Sequence, residues 1–240
     1  MKIFSNPIYM QSPSFLSQKI STESPSMQVF DTTEFMREDF DVDGIINLMN
    51  QLYKDEPKLN VLFYACSVGK EVYAFDLRLK SFFKGLQGKE YSLIAKDINP
   101  NLVLKAKRGV YKITDKEEEK LLFASNNNLY RYIDIIDDGL EKFAKIRDAL
   151  KTNVHFATAD ICKDIDNIAD DTKVLIARNF WQYINPKEQI KLAEKISKKL
   201  KQNSLFVLGE FDKIYGLDRL LKQRGFGESG VKNVLIKLAR

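Results

Sequence analysis

The sequence predicts an α/β fold: a mostly parallel sheet with helices on both faces and a small inserted subdomain. From residue 61 onward, six short apolar runs alternate with amphipathic stretches of helical length. This alternation is typical of largely parallel sheets. Two helical stretches begin with Asn-Pro, at residues 99–100 and 185–186, which puts a capping residue before a proline at the first helical position.

The first thirty residues differ from the rest of the chain. Residues 1–30 hold three of the six prolines and seven serines, without sustained periodicity. We interpret them as a leader, flexible or laid over the surface of a domain that spans residues 31–240. A helix is predicted from Asp31 to about residue 54, because Asp31 can cap it and Glu34 can reach back from three residues later.

The apolar runs predict strands at residues 61–65, 93–97, 154–159, 174–177, 205–208 and 234–238. Helices are predicted near residues 70–85, 100–108, 138–150, 186–201 and 215–224. The inserted segment 112–150 is long for a crossover, and its alternating stretch 129–135 predicts a small strand or hairpin. Ligands of such sheets bind beyond the carboxyl ends of the strands, so functional residues are expected directly after each run.

Composition excludes several classes of protein. Hydrophobic residues make up 44% and charged residues 30% of the 240 residues, the balance of a soluble globular protein. The net charge of +5 is spread along the chain and is too mild to indicate a nucleic-acid binder. The single histidine, His155, argues against a histidine-based metal site or a Ser-His-Asp triad, and its place in a strand run favours a structural role.

The expected location is the cytoplasm. Two cysteines, Cys66 and Cys162, cannot build a disulfide framework and suit a reducing compartment. No apolar run approaches the roughly 20 residues that a membrane-spanning helix needs. We therefore expect no direct insertion into a membrane.

A turn of small residues follows the first predicted strand. Cys66, Ser67, Val68 and Gly69 lead into a helix, which lets a ligand approach the backbone and the helix N-terminus. With one glycine, the turn matches neither the dinucleotide fingerprint GxGxxG nor a Walker loop. No basic partner for Cys66 is identifiable, which favours a small buried residue over a nucleophile.

Two acidic residues end later strands. Asp97 can accept both hydroxyls of a ribose, although a helix-capping role in front of Asn99 is equally compatible with the sequence. Asp160 and Ile161 suit the amino group and ring face of an adenine. Taken in isolation, Asp160 is better explained as a solvated loop residue.

The fourth predicted strand is followed by polar and then aromatic residues. Arg178 and Asn179 precede Phe180, Trp181 and Tyr183, an order that is typical of a substrate-facing loop. Core packing of Trp181 and Tyr183 is an equal alternative.

Five motifs, in order across roughly residues 31–240, resemble the CheR-type chemotaxis receptor methyltransferases. Residues 33–37 (TEFMR) are similar to the family's T-x-F-F-R, and residues 65–73 (ACSVGKEVY) to A-C-S-T-G-E-E-P-Y. Residues 95–111 follow A-T-D-I-x with L-x-x-A-x-x-G-x-Y, and residues 177–183 are similar to C-R-N-V-L-I-Y-F. The end of the chain, with Leu208-Gly209-Glu210 and Gly225-Phe226, also fits.

The resemblance implies a Rossmann-like methyltransferase that uses S-adenosylmethionine to esterify glutamate side chains of a protein, with a chemoreceptor cytoplasmic region as the expected partner. It implies a cofactor site in which Glu71 holds the methionine ammonium, Asp97 the ribose, Asp160 and Ile161 the adenine, and Cys66, Ser67, Gly69, Asn179 and Phe180 line the cofactor. Arg37 and Tyr183 would sit beside the transferred methyl group and the incoming carboxylate. A glutamate carboxylate is ionised at pH 7, so this reaction needs no general base.

Several departures from the family pattern leave the methyl acceptor open. Val68, Lys70 and Val72 replace Thr, Glu and Pro in the cofactor loop, and Asp160 replaces Asn. The family's helical N-terminal domain is reduced, and the insert lacks the glycine-rich turns expected of its receptor-gripping β-subdomain. A methyltransferase for another acceptor and a non-catalytic, cofactor-binding interaction module are the alternatives. The oligomeric state is also left open.

Overall fold

The computed structural model describes residues 33–82 and 90–239. The predicted leader, residues 1–30, and the predicted capping residue Asp31 lie outside the described residues. Among the described residues, no helix is long and apolar enough to cross a membrane.

The central sheet has seven strands in the order β6-β2-β1-β7-β8-β10-β9. Their bounds are β1 Lys58–Tyr64, β2 Glu90–Asp97, β6 Val154–Thr158, β7 Thr172–Ala177, β8 Leu205–Val207, β9 Phe226–Glu228 and β10 Val234–Lys237. The pairs β6-β2, β2-β1, β1-β7 and β7-β8 are parallel, whereas β10 runs antiparallel to both β8 and β9. The predicted α/β fold with a mostly parallel sheet is confirmed.

Helices cover both faces of this sheet. Their bounds are α1 Val42–Leu52, α2 Lys70–Phe82, α3 Pro100–Arg108, α6 Asp148–Lys151, α7 Ile161–Asp164, α8 Pro186–Lys199, α9 Glu210–Ile214 and α10 Leu217–Lys222. Alternate residues of β1 enter different cores, because Val61 and Phe63 pack with α1 and α2 while Leu62 and Tyr64 pack with α8 and α10.

The inserted segment forms a small subdomain of its own. Its elements are β3 Val110–Ile113, α4 Asp115–Ala124, α5 Leu129–Tyr132, β4 Ile133–Asp137 and β5 Lys142–Ile146. The three strands make an antiparallel sheet in the order β3-β5-β4. The alternating stretch 129–135 is therefore one helical turn that leads into a strand, and the predicted strand is confirmed from residue 133.

One predicted helix begins later than expected, and another is wrong. The helix predicted from Asp31 begins at Val42, because the Asp41 side chain accepts the Gly44 N–H at 2.9 Å and takes the capping role. The helix predicted at residues 138–150 is replaced by β5 and the short α6, because Ala144 and Ile146 alternate with polar residues and β5 pairs with strands on both sides.

Gly69 is required where the chain leaves β1 for α2. Its φ of +82° lies in the left-handed region, and a Cβ there would stand 2.8 Å from Phe156 Cζ and 2.9 Å from Ala106 Cβ. Gly230 has a similar φ of +86°, with nothing within 4 Å of such a Cβ. The two glycines therefore share a left-handed backbone conformation, which would strain any other residue, but differ in crowding.

We expect Gly69→Ala to lower the free energy of unfolding by about 2–5 kcal/mol, through left-handed strain and overpacking. Gly230→Ala is the matched control and should cost only about 1–2 kcal/mol of strain. Urea denaturation measures both. Equal losses in the two variants would contradict crowding at Gly69.

Candidate active site

The loops that follow β1, β2, β6 and β7 share one edge of the sheet, because these four strands are parallel neighbours. This edge carries the residues predicted from the sequence: the turn 65–69, Asp97, Asp160 and Asn179. The sheet therefore brings together residues that are more than a hundred positions apart in the chain.

The turn after β1 is conformationally strained. Ala65 and Ser67 have φ values of 53° and 50°. These lie in the left-handed region, which residues other than glycine and asparagine rarely adopt. Among the described residues, the only other such residue that is neither Gly nor Asn is Met36, with φ 49°, in the segment that packs against the site. Strain of this kind tends to concentrate at functional sites. The buried Ser67 hydroxyl has no hydrogen-bond partner in the described part of the chain.

The carboxylate of Asp97 holds the turn to the end of β2. Its Oδ2 accepts the Ser67 N–H at 2.8 Å and its Oδ1 accepts the Asn99 N–H at 2.9 Å. The cap of α3 is Asn99, whose side chain accepts the Asn101 N–H, so Asp97 is not itself the capping residue. Each Asp97 oxygen keeps a lone pair for a further donor.

Asp160 caps α7, and α7 is anchored to the sheet. The Asp160 side chain accepts the Cys162 N–H at 3.0 Å. At the other end of α7, Asp164 accepts a hydrogen bond from Tyr64 and one from Lys96 at 2.5 Å. Burial would raise the pKa of Asp164, but the Lys96 and Tyr64 hydrogen bonds hold it below its usual range. Asp160 and the half-buried Ile161 therefore lie on a fixed turn.

The core of the site is a buried ion-pair network centred on Arg178. Only 2% of the Arg178 side chain is exposed. Its guanidinium pairs with Glu71 at the start of α2 and with Asp39 Oδ2 at 2.8 Å, donates to the Asp39 carbonyl oxygen at 3.1 Å, and lies 4.6 Å from the Phe40 ring centroid. From the sequence, Arg178 is expected in a substrate-facing loop but is not among the predicted site residues. The feature that could have identified it is a positively charged residue directly after a buried strand.

The two carboxylates of this network titrate differently. Burial raises the pKa of Glu71, and the positive charges of Arg178 and Arg37 oppose that rise. Burial also acts to raise the pKa of Asp39, but the charges and hydrogen bonds of Arg178 and Arg37 outweigh it and lower that pKa. Asp39 thus carries a negative charge over the whole neutral range.

Arg37 joins this network, whereas Tyr183 does not. Arg37 Nε donates to Asp39 Oδ1 at 3.1 Å, and no other hydrogen bond of its guanidinium is found within the described residues. Tyr183 lies on a 3₁₀ turn, Trp181–Tyr183, with 74% of its surface exposed. No hydrogen bond connects the Arg37 and Tyr183 side chains among the described residues.

The aromatic residues after Asn179 have different surroundings. Trp181 is fully buried, so core packing is the correct interpretation for it, while the exposed Tyr183 is not a core residue. Phe180 is also in the core, with its ring against that of Trp181 at a centroid distance of 5.9 Å. Its assignment to the cofactor wall therefore stays a prediction for a residue that also packs in the core. Asn179 is half-buried with φ 56°.

Neither Cys66 nor His155 resembles a catalytic residue. Burial raises the pKa of the Cys66 thiol, so the thiolate is suppressed, in agreement with a small buried residue. His155 is exposed on β6, which lies at the edge of the sheet.

The residues that depart from the family pattern connect the turn with the inserted subdomain. Lys70 forms a 3.2 Å ion pair with Glu117 of α4, and its ammonium lies 5.4 Å from the Phe35 ring and 5.9 Å from the Tyr111 ring. The Val68 carbonyl accepts the Tyr111 hydroxyl at 2.6 Å. Through these contacts the turn after β1 is joined to α4 and β3 of the inserted subdomain.

Comparison with known proteins identifies the same family as the motifs. A family model described as "CheR methyltransferase, SAM binding domain" matches residues 31–227. A Pseudomonas putida KT2440 protein named as a Cher3 methyltransferase is 25% identical over an alignment of 180 residues. The match covers 72% of this chain and 63% of that relative. The chain thus spans less than two thirds of this relative's length.

Solved structures with a similar arrangement are distant in sequence. The magnesium protoporphyrin IX methyltransferase ChlM of Synechocystis PCC 6803 with bound SAM is 13% identical with a TM-score of 0.41, covering 81% of this chain and 76% of that one. A TehB-like SAM-dependent methyltransferase of Corynebacterium glutamicum ATCC 13032 is 10% identical with a TM-score of 0.41, covering 80% and 84%.

Removing the central cation should destabilise the fold strongly. In Arg178→Met the largely buried Glu71 carboxylate loses its ion-pair partner and Asp39 keeps only Arg37, and we expect a loss of about 3–5 kcal/mol in the free energy of unfolding. Adding Glu71→Gln should recover part of that loss, because it removes one of the stranded charges. Denaturant titration measures all three proteins.

Arg147→Met provides the control. Arg147 pairs with Asp134 at 3.2 Å, but both side chains are nearly half exposed. An exposed pair contributes about 0–1 kcal/mol. A similar loss in Arg147→Met and Arg178→Met would show that the buried network has no special weight.

Proposed function

Because the chain belongs to the CheR methyltransferase family, in its S-adenosylmethionine-binding domain, we propose that it O-methylates glutamate carboxylates of a protein substrate. A chemoreceptor cytoplasmic region is the substrate that the family resemblance suggests. The proposal names S-adenosylmethionine as methyl donor and S-adenosylhomocysteine as product. It is supported by the family match and by the chemistry of the groups around Arg37.

The residues present fit this cofactor. The buried Ser67 hydroxyl lacks a partner among the described residues, and Asp97 keeps a lone pair on each oxygen for the ribose hydroxyls. The Glu71 ion pair with Arg178 uses Oε2, so Oε1 is left for the methionine ammonium. Asp160 and Ile161, on the fixed turn of α7, are assigned to the adenine, and the Asn179 side chain to the cofactor wall.

The cofactor, when bound, supplies a methyl group on a positively charged sulfur. The chain's own residues have to align a nucleophile with it and exclude water. A glutamate side chain arrives ionised at pH 7, so no residue has to remove a proton. Positioning in favourable cases contributes about 7–11 kcal/mol to such reactions.

The observation that carries the proposal is the open guanidinium fork of Arg37. Its Nε is held by Asp39, whereas its two terminal nitrogens have no hydrogen-bond partner among the described residues. A planar fork of this kind matches a carboxylate. The side chain is 26% exposed, so an incoming carboxylate has access to it. We assign Arg37 to positioning, because a tightly held carboxylate would be a weaker nucleophile.

The location of the only histidine agrees with an acceptor that needs no base. His155 is on the edge strand β6, where it lines a depression with Lys107 and Lys151. It takes no part in the ion-pair network of Arg178. An amine or alcohol acceptor would need a base, and among the described residues the carboxylates that contact Arg37 or Arg178 are already ion-paired with these arginines.

The product should be an ester that alkali cleaves. After incubation with methyl-labelled S-adenosylmethionine and lysate of the source cell, the labelled protein should release volatile methanol at mildly alkaline pH. N-methyl amines and aryl ethers survive this treatment. Label that resists alkali would contradict a carboxylate acceptor, and absence of label despite cofactor binding would favour a non-catalytic interaction module.

The acceptor end should respond to mutation separately from the cofactor end. We expect Arg37→Ala and Tyr183→Phe to lower turnover by about 10-fold or more, since misplacement of an acceptor by an ångström can cost about 100-fold. Affinity for S-adenosylhomocysteine should change less than threefold. Methyl incorporation and calorimetry measure the two quantities.

Tyr130→Phe is the control for the exposed tyrosine. Tyr130 is 62% exposed on the inserted subdomain and is outside the proposed site. Wild-type turnover in both Arg37→Ala and Tyr183→Phe would mean that the acceptor enters elsewhere.

A further inference from the structure

Asp212 is a buried carboxylate that binds two separate loops. It lies on α9 with 0% of its surface exposed. Its Oδ2 accepts the N–H groups of Asn179 at 2.6 Å and Gly209 at 2.7 Å. Its Oδ1 accepts those of Phe180 at 3.0 Å and Trp181 at 2.9 Å. One side chain thus satisfies four backbone donors.

The four backbone donors favour the ionised carboxylate of Asp212. No lysine or arginine forms an ion pair with it among the described residues, so the four N–H groups are its compensation. Burial raises the pKa of Asp212, and the same four hydrogen bonds oppose that rise. A protonated acid would direct a hydrogen at one of the donors, so the geometry requires the carboxylate.

Helix capping accounts for only one of the four hydrogen bonds. Gly209 is the N-cap of α9, and a carboxylate at the third helical position commonly reaches back to the N–H of the N-cap. The other three donors come from the turn after β7, 31 to 33 residues earlier in the chain. Asp212 therefore ties that turn to the end of β8, beyond what α9 needs for its own cap.

The turn so held carries Asn179 in the left-handed region. Asn179 has φ 56°, and its side-chain oxygen accepts the Phe211 N–H at 3.4 Å. A Cβ at Gly209 would overlap that side-chain oxygen, so the two loops approach as closely as a glycine permits. A turn of this kind leaves backbone N–H groups without regular partners, and buried N–H groups need an acceptor. Here Asp212 is the acceptor for three of them.

We propose that Asp212 is a positioning residue for the cofactor site, which holds the Asn179 turn in the conformation that binds S-adenosylmethionine. The inference rests on the assignment of Asn179 to the cofactor in the proposed function, and not on the identity of the methyl acceptor. A purely structural Asp212 would contribute to stability alone. A positioning Asp212 also determines cofactor affinity in the folded protein.

The test compares Asp212→Asn with Asp76→Asn. Asp76 is likewise fully buried, but it pairs with Lys80 at 2.5 Å and accepts the Tyr91 hydroxyl at 2.7 Å, and it takes no part in the Asn179 turn. Both variants lose a buried charge and should lower the melting temperature. In Asp212→Asn the new amide directs N–H groups at backbone donors, so the turn should loosen.

S-adenosylhomocysteine alone is the probe, measured by calorimetry well below the melting temperature. We expect Asp212→Asn to weaken its binding about tenfold or more, the scale of a lost charge-assisted hydrogen bond, and Asp76→Asn to leave it within twofold. Hydrogen exchange should accelerate at residues 179–181 in Asp212→Asn and not in Asp76→Asn. Should Asp212→Asn fail to fold, Asp212→Glu keeps the charge but displaces it, and it should bind S-adenosylhomocysteine more weakly than the wild type does.

The outcomes separate this inference from the proposed function. Binding of S-adenosylhomocysteine needs no acceptor, so failure of the ester assay leaves this measurement intact. Wild-type affinity in a folded Asp212 variant overturns the inference, whatever its melting temperature. So does a loss of affinity of equal size in Asp76→Asn, because the effect would then be general destabilisation.

Discussion

The ion-pair network around Arg178 is the constraint that assembles the candidate site. A guanidinium that is almost fully buried is costly unless carboxylates compensate it, and Arg178 has two partners, Glu71 and Asp39, from distant parts of the chain. The three residues lie at the end of β7, at the start of α2 and in the segment before α1. That segment is not helical, and Met36 adopts a left-handed conformation within it. The network thus fixes an irregular stretch against the sheet and, through Asp39, brings Arg37 to the site edge.

Carboxylates also organise the two loops beside this network. Asp97 accepts one backbone N–H of the turn after β1, that of Ser67, and Asp212 accepts three from the turn after β7. Both turns contain residues at positive φ, Ser67 and Asn179, and serine is a residue type that rarely adopts this conformation. The common principle is that a buried anion satisfies backbone donors which a strained turn leaves unpaired. These charged groups hold the loops in place, and few residues are left to take part directly in a reaction.

The sequence contains the information for the sheet but not for these pairings. Apolar runs and Asn-Pro caps predicted six strands of the central sheet and α3 and α8, because burial and capping are local signals. The helix expected at residues 138–150 became β5, since pairing with strands on both sides outweighed local preference. Strand β9, Phe226–Glu228, contains one large apolar residue and so forms no apolar run. The ion pair of Arg178 with Asp39 joins residues far apart in the chain, so hydrophobic periodicity cannot predict it. The burial of Phe180 likewise depends on tertiary packing, in the core around Trp181.

The departures from the family motif acquire a physical meaning from the inserted subdomain. A lysine replaces the family's glutamate before Glu71, and this Lys70 binds Glu117 of α4, while the Val68 carbonyl binds Tyr111 of β3. The cofactor turn and the insert are thus joined by an ion pair and a hydrogen bond, both largely shielded from water, where such contacts are worth more than at the surface. The residues assigned to the ribose and the ammonium, Asp97 and Glu71, are outside this junction. Lys70 therefore changes how the insert is held to the turn, whereas the Val68 contact uses a backbone carbonyl and does not depend on the side chain. The assignment of Asp97 and Glu71 to the cofactor rests on neither contact, so the altered motif is compatible with the family's cofactor.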